Sequence, residues 1–131
     1  MHEFHAWIGL TDATDEGNRG VIEREAAKIT TLLGDADWHD AAFDLKSLNG
    51  QYFLTVTGYV NRRREEGDLL DLLLATISRR LPGSWGLVYE RDDEMPSPPG
   101  PNGFRVRVLA RGAIFDRLDP FLSPCNPVIE D

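Results

Sequence analysis

The spacing of apolar residues divides the chain into strands and helices. Apolar residues occupy every second position from Glu3 to Thr11, which is the period of a half-buried β-strand. In two later segments they recur every three or four positions, which predicts amphipathic helices over about 21–33 and 68–81. Gly34 and Pro82-Gly83 follow these segments directly and are typical of helix ends.

The strongest local signal is the pair Asn49-Gly50, which lies between apolar-rich segments at 43–48 and 51–60. Asn-Gly favours a two-residue type I′ turn because both central residues must adopt positive φ. The turn fixes the strand register, and that register predicts two apolar cross-strand pairs. These pairs are Phe43 with Val56 and Leu45 with Leu54.

The remaining pattern predicts strands at 85–90 and 104–111, separated by a proline-rich loop at 95–103 and followed by an irregular tail at 116–131. The element order is β-α-β-β-α-β-β, and its first six elements have ferredoxin-like order. We therefore expect an α+β fold. Its mainly antiparallel sheet carries both helices on one face, in a two-layer sandwich. No boundary divides the chain, so residues 1–131 are predicted to form one domain.

Two tryptophans indicate which strand faces are covered. Trp7 lies opposite the apolar stripe of the first strand, so we expect it on the open side of the sheet, where a partner could dock. Trp85 shares an alternating face with Leu87 and Tyr89, and we expect that face to be core.

Three arginines of the last predicted strand, Arg105, Arg107 and Arg111, are expected on the solvent face, paired across strands with acidic residues such as Glu90 or Asp44. If they instead lined a pocket, the chain would be a small ligand-binding or enzymatic α+β domain that uses an Arg-lined sheet face. This is the main alternative function. A second alternative is an adaptor that binds several partners through the proline-rich loop.

Composition excludes several classes of protein. The 131 residues carry a formal net charge of −8, which disfavours binding to nucleic acid and attracts basic proteins. No apolar run approaches the length of a membrane span, so we expect no membrane interaction. The single cysteine cannot form an internal disulfide or a cysteine-based zinc site, which fits the cytoplasm.

Candidate chemistry is limited to clusters of carboxylates. The sequence lacks the common nucleophile, phosphate-loop and zinc motifs, so we predict no catalytic residues, no metal site and no cofactor. Closely spaced carboxylates usually lie in solvated loops. When they surround an aromatic residue, they can also attract a basic protein and bind it. The predicted contact residues are Asp35, Asp37, Trp38 and Asp40, with a second patch at Asp92, Asp93 and Glu94.

Two further segments are distinctive: Phe4-His5-Ala6-Trp7-Ile8, and Leu118-Asp119-Pro120-Phe121-Leu122-Ser123-Pro124-Cys125 followed by Ile129-Glu130-Asp131. In these two segments the chain resembles the immunity protein 7 family of bacterial polymorphic toxin systems. Conventional members of that family carry Gly where this chain has Ala6. The resemblance implies a small cytoplasmic α+β protein that binds and neutralises a cognate secreted toxin domain. A basic enzyme such as a nuclease would fit an acidic partner of this kind. The motif residues Trp7, Asp119, Pro120, Phe121, Ser123, Pro124 and Cys125 are expected to be structural.

Overall fold

The strands and helices are defined by a computed structural model, which describes residues 1–13, 17–39, 41–61, 63 and 65–123. The strands are β1 (His2–Leu10), β2 (Ala42–Leu48), β3 (Gln51–Val60), β4 (Trp85–Asp92), β5 (Arg105–Ala110) and β6 (Ala113–Leu118). The helices are α1 (Arg19–Ile29) and α2 (Glu65–Arg80), and a π-helical turn at Thr30–Gly34 continues α1. Within the described residues, no helix is both long and apolar enough to cross a membrane.

All six strands form one antiparallel sheet in the order β2-β3-β1-β4-β5-β6. The predicted α+β class and element order are confirmed. The chain adds a sixth strand, because Arg111 and Gly112 adopt positive φ (53° and 72°) and turn β6 back onto β5. The irregular tail predicted from 116 is therefore wrong for 116–118. β6 was not predicted because it is a largely exposed edge strand whose apolar residues do not alternate with polar ones.

The hairpin prediction is confirmed. Asn49 and Gly50 have φ of 51° and 78°, as a type I′ turn requires. Both predicted cross-strand pairs are present, Phe43 with Val56 and Leu45 with Leu54. The turn residues thus place the apolar side chains of β2 and β3 against the core.

Helix boundaries depart from the prediction by a few residues. The α-helical part of the first helix begins earlier, because the Asn18 side chain accepts a hydrogen bond from the Val21 N–H and caps it at Arg19. α2 begins at Glu65, three residues before the predicted start, and places Glu65, Glu66 and Asp68 in its first turn, where carboxylates suit the helix dipole.

The core lies between the two helices and one face of the sheet. Gly58 makes room for the Phe4 ring there, since a Cβ at Gly58 would come within 2.2 Å of it. The fully buried apolar side chains include Phe4, Ile8 and Leu10 of β1, Leu54 and Val56 of β3, Ile29 of α1, and Leu70, Leu73 and Ile77 of α2. The paired strands and the helices thus bury one continuous apolar layer.

Among the residues that the structure describes, no helix lies over the other face of the sheet. Trp7 lies there and is 45% exposed, as predicted. Trp85 also lies there, 43% exposed, so its predicted core position is wrong. The alternate residues of β4, Gly86 and Val88, face the helices instead, and Gly86 packs against the β1 backbone. Alternation separates two faces of a strand, but it does not identify the covered face when both are apolar.

Candidate functional site at the acidic end of the sheet

One end of the sheet collects both predicted acidic clusters. His2 of β1 pairs with Val60 at the end of β3 and with Asp92 at the end of β4. Since β2 runs antiparallel to β3, the segment that precedes β2 emerges at this end as well. We call this the acidic end. Its two clusters are separated by three strand spacings, about 14 Å.

The first cluster is Asp35 and Asp37, both exposed, between Gly34 and β2. The Asp37 carboxylate accepts a hydrogen bond from the backbone N–H of His39 at 3.0 Å, and His39 has a positive φ of 50°. The His39 ring contacts the Glu65 carboxylate at 2.9 Å and so joins this segment to the start of α2. The hydrogen bond with Glu65, supported by the charges of Asp37 and Glu66, raises the pKa of His39 above 6.5.

Trp38 belongs to the core and not to the surface. It is 5% exposed, its indole N–H donates to the Leu33 carbonyl at 2.6 Å, and its ring lies 5.8 Å from that of Phe43. Trp38 therefore anchors the acidic segment from beneath. Asp40, the fourth predicted residue of this cluster, lies outside the described residues.

The second cluster, Asp92, Asp93 and Glu94, ends β4. The Asp92 carboxylate accepts a hydrogen bond from the Glu94 N–H at 2.9 Å. Asp93 donates its N–H to the Met1 carbonyl at 3.1 Å, and its carboxylate lies 2.8 Å from the Met1 amino group. These bonds hold the turn against the start of β1, while the side chains of Asp93 and Glu94 remain exposed.

Two residues of the acidic end were not predicted as part of it. Glu65 and Asp68, in the first turn of α2, are both exposed and extend the first cluster. Arg63 lies beside them, and its guanidinium is bound by the carboxylates of Asp68 and Asp71. In the sequence, Glu65 directly follows three arginines, a pattern that is typical of a solvated charged turn. The pairing of Arg63 with α2 could not be derived from spacing alone.

A buried ionic network lies behind the acidic end, on the helix-covered side. Glu90 is 2% exposed, and its carboxylate lies 2.7 Å from His2 Nε2 and 3.4 Å from a terminal nitrogen of Arg105. Arg107 is 6% exposed and donates to Asp71 of α2 at 2.6 Å. Burial would raise the pKa of Glu90, but the hydrogen bond with His2 and the guanidinium groups of Arg107 and Arg105 lower it below its usual value.

The predicted solvent-facing arginine stripe is therefore wrong. Arg105 and Arg107 point to the covered side, because their strand neighbours on that side are Glu90 and Val88. Arg111 lies in the β5–β6 turn at the opposite end of the sheet. The predicted pairing of this strand with Glu90 is confirmed for Arg105. The three guanidinium groups do not converge on one cavity, which removes the geometric basis of the ligand-binding alternative.

The closing motif forms a turn against the start of β5. The Asp119 carboxylate accepts hydrogen bonds from the N–H groups of Phe121 and Leu122 and from the Ser123 hydroxyl. Ser123 in turn accepts the N–H of Phe104 at 2.8 Å. Although burial opposes it, these hydrogen bonds lower the pKa of Asp119. Phe121 is 82% exposed, and Pro124 and Cys125 lie outside the described residues.

The chain is thus a small α+β sandwich with exposed carboxylates gathered at one end of its sheet. The family model named Immunity protein 7 matches residues 1–131, and the chain belongs to this family. Neither the curated proteins nor the solved structures contain a match to the chain.

Proposed function

We propose that this immunity protein binds one cognate toxin domain with the acidic end and thereby neutralises it, without making or breaking a covalent bond. The observation that carries the proposal is the convergence of exposed carboxylates from three parts of the chain on one sheet end. Membership of the immunity protein 7 family supplies the class of partner. The net charge of −8 supports a toxin with a basic surface.

The acidic end suits an inhibitor because it is held in shape before binding. Asp37 and Asp92 each accept a backbone N–H within their own segment, and Trp38 fixes the first segment to the core. Preorganised carboxylates lose little conformational entropy on binding. In a toxin that cleaves nucleic acid, they would take the positions of substrate phosphates and block the cleft.

The proposed contact set is Asp35, Asp37, Asp92, Asp93 and Glu94, with Asp40 retained from the sequence prediction. Trp38 is left out because its indole is buried. The proposed location is the cytoplasm of the producing bacterium, where the toxin is made before its secretion. We expect no contact with nucleic acid or membrane.

Co-expression with the toxin encoded by the adjacent gene tests the function. Cells that carry both genes should grow, cells that carry the toxin alone should die, and the purified proteins should form a complex. Death of cells that carry both genes, with no complex between the purified proteins, would refute the proposed function.

Charge neutralisation tests the surface. The variant Asp35→Asn, Asp37→Asn, Asp92→Asn keeps the side-chain carbonyl acceptors but removes three charges. We expect the association rate with the toxin to fall at least about tenfold at low salt and to approach that of the unmodified protein at high salt.

The matched control is Asp12→Asn, Glu23→Gln, Asp44→Asn, which removes three charges elsewhere. It should change the association rate by less than about twofold, since distant charges are screened. If both variants slow association equally, only net charge matters, and the acidic end is not the contact surface.

A further inference from the structure

The open face of the sheet is unusually apolar. An antiparallel sheet that is covered on one side normally shows polar side chains on the other. Here the described strands place aromatic side chains on the uncovered side, namely Trp7, Phe53, Tyr59, Trp85, Tyr89 and Phe115. A contiguous exposed patch of this kind is characteristic of an interaction surface.

Aromatic side chains of the open face pack against one another, which fixes their positions. The Trp85 ring lies across Gly9, where a Cβ would come within 2.5 Å of it. It meets Trp7 and Phe53 edge to face, with ring centroids 5.9 Å and 6.2 Å apart. Beside Trp7 runs a groove of about 490 Å³, lined by Glu3, His5, Trp7, Tyr89, Phe104 and Leu122. The face therefore offers ridges and a groove to a partner.

The open face is also almost neutral. Its strand residues carry two carboxylates, and each is paired within the face: Glu3 with Arg91 at 3.0 Å, and Asp44 with Lys46 at 3.1 Å. Arg117 lies over the Phe115 ring. Three basic and two acidic residues give this face a formal charge of +1 in a chain whose total is −8. The strand residues of this face therefore carry none of the net negative charge.

We propose that a second copy of this chain packs on the open face to form a face-to-face dimer. Six strands about 4.8 Å apart, each six to ten residues long at about 3.3 Å per residue, present about 600 Å² or more per copy. Two such faces would bury at least about 1,200 Å², which reaches the range of specific protein interfaces. Sheets that pack face to face at about 10 Å interdigitate side chains of this apolar type.

Charge favours a second copy over a basic partner at this face. A basic protein is attracted to the acidic end, whereas two copies that each carry −8 can approach only where their surfaces are neutral. A two-fold axis across the strands places the two acidic ends at opposite ends of the dimer, which minimises repulsion. Both acidic ends then stay free, so the dimer is compatible with the proposed toxin contact.

Sedimentation velocity and tryptophan quenching test the dimer without any toxin. Between about 1 and 300 μM, we expect the sedimentation coefficient to rise from that of a monomer to that of a dimer. Acrylamide quenching should fall over the same range, because Trp7 and Trp85 are half-exposed in the single chain whereas Trp38 is already buried. A failure of this test leaves the toxin experiments unaffected.

Thr57→Glu tests the location of the interface. Thr57 is exposed on the open face, where it pairs with His5 and Ala42. A carboxylate at this position is solvated in the monomer. In a two-fold dimer, both copies would bring this carboxylate into the apolar interface. We expect the dimer dissociation constant to rise at least about tenfold. The control Thr31→Glu places the same side chain on the exposed side of the helical layer, and dimerisation should be unchanged. Circular dichroism verifies that both variants fold.

Three results would overturn the inference. The first is a monomer throughout the concentration range. The second is a dimer that Thr57→Glu and Thr31→Glu affect equally, because its interface would lie elsewhere. The third is quenching that is low at every concentration, because the tryptophans would then be shielded within one chain.

Discussion

Replacing Glu90 with Gln should destabilise the protein strongly at neutral pH. The change keeps the size of the side chain but removes a buried charge, 2.7 Å from His2 and 3.4 Å from Arg105. A terminal nitrogen of Arg107 lies 3.7 Å from the Glu90 carboxylate and has no hydrogen-bond partner among the described residues, so the change also takes away the charge that faces this nitrogen. A hydrogen bond to a charged group contributes about 1.5–3 kcal/mol. The partners left behind are buried, which adds to the loss.

We expect Glu90→Gln to lower the free energy of unfolding by about 2–4 kcal/mol at pH 7. For a chain of this length, that corresponds to a fall in Tm of roughly 10 °C. The matched control is Glu23→Gln, which removes a half-exposed partner of Arg19 on α1 and should cost under about 0.5 kcal/mol. Urea unfolding followed by circular dichroism measures both.

The difference in unfolding free energy between the original protein and Glu90→Gln should decrease as the pH falls. The folded-state pKa of Glu90 lies below the ordinary value of 4.5, so its stabilisation is complete above that value. It is lost as the pH falls through the folded pKa, where protonated Glu90 resembles Gln. The gap between the original protein and Glu90→Gln should therefore shrink in acid. A gap below about 1 kcal/mol at pH 7, or one that is equally large well below the folded pKa, would refute the assigned network.

Three other substitutions test single features of the fold. Trp38→Phe should cost about 1–3 kcal/mol of unfolding free energy in a urea titration, because it leaves the buried Leu33 carbonyl without its indole donor. Asp119→Ala removes the acceptor of three hydrogen bonds; it should cost about 2–4 kcal/mol and expose the N–H groups of Phe121 and Leu122 to faster hydrogen exchange. His39→Gln should remove a stabilisation that is present below pH 6.5 and is lost as the pH rises through the raised folded pKa. The free energies of unfolding of His39→Gln and the unmodified chain, compared at about pH 5.5 and at about pH 8.5, measure this stabilisation. An equal difference between the two proteins at both pH values would contradict the contact with Glu65.

Local signals predicted the parts of the fold that depend on neighbouring residues. Asn49-Gly50 has one favoured turn geometry, and that geometry determines the pairing of β2 with β3. The two amphipathic helices were predicted from one apolar stripe each. β6 was not predicted because an exposed edge strand needs only a turn and a neighbour with free hydrogen-bonding groups, and neither leaves an apolar pattern.

The misplaced residues share one physical cause. Trp85 was assigned to the core and Arg107 to solvent by the usual rule that apolar residues are buried and charged ones exposed. The structure reverses both, because β4 and β5 must bring Glu90 and Arg107 under α2 to complete the network with Asp71. A paired charge can be buried, and an aromatic ring can stay exposed, but the partner that makes burial favourable is 36 residues away in the chain.

This reversal also determines where the protein can bind partners. With Glu90 and Arg107 on the helix side, period-two alternation sends Tyr89 and Val106 to the uncovered side, so the buried network produces the apolar open face. Several of the carboxylates that stay exposed lie next to strand ends and helix starts, as Asp37, Asp93 and Glu65 do. The same register thus separates a neutral apolar face from an acidic end. A chain in which the network were replaced by apolar residues could slip in register and lose both surfaces together.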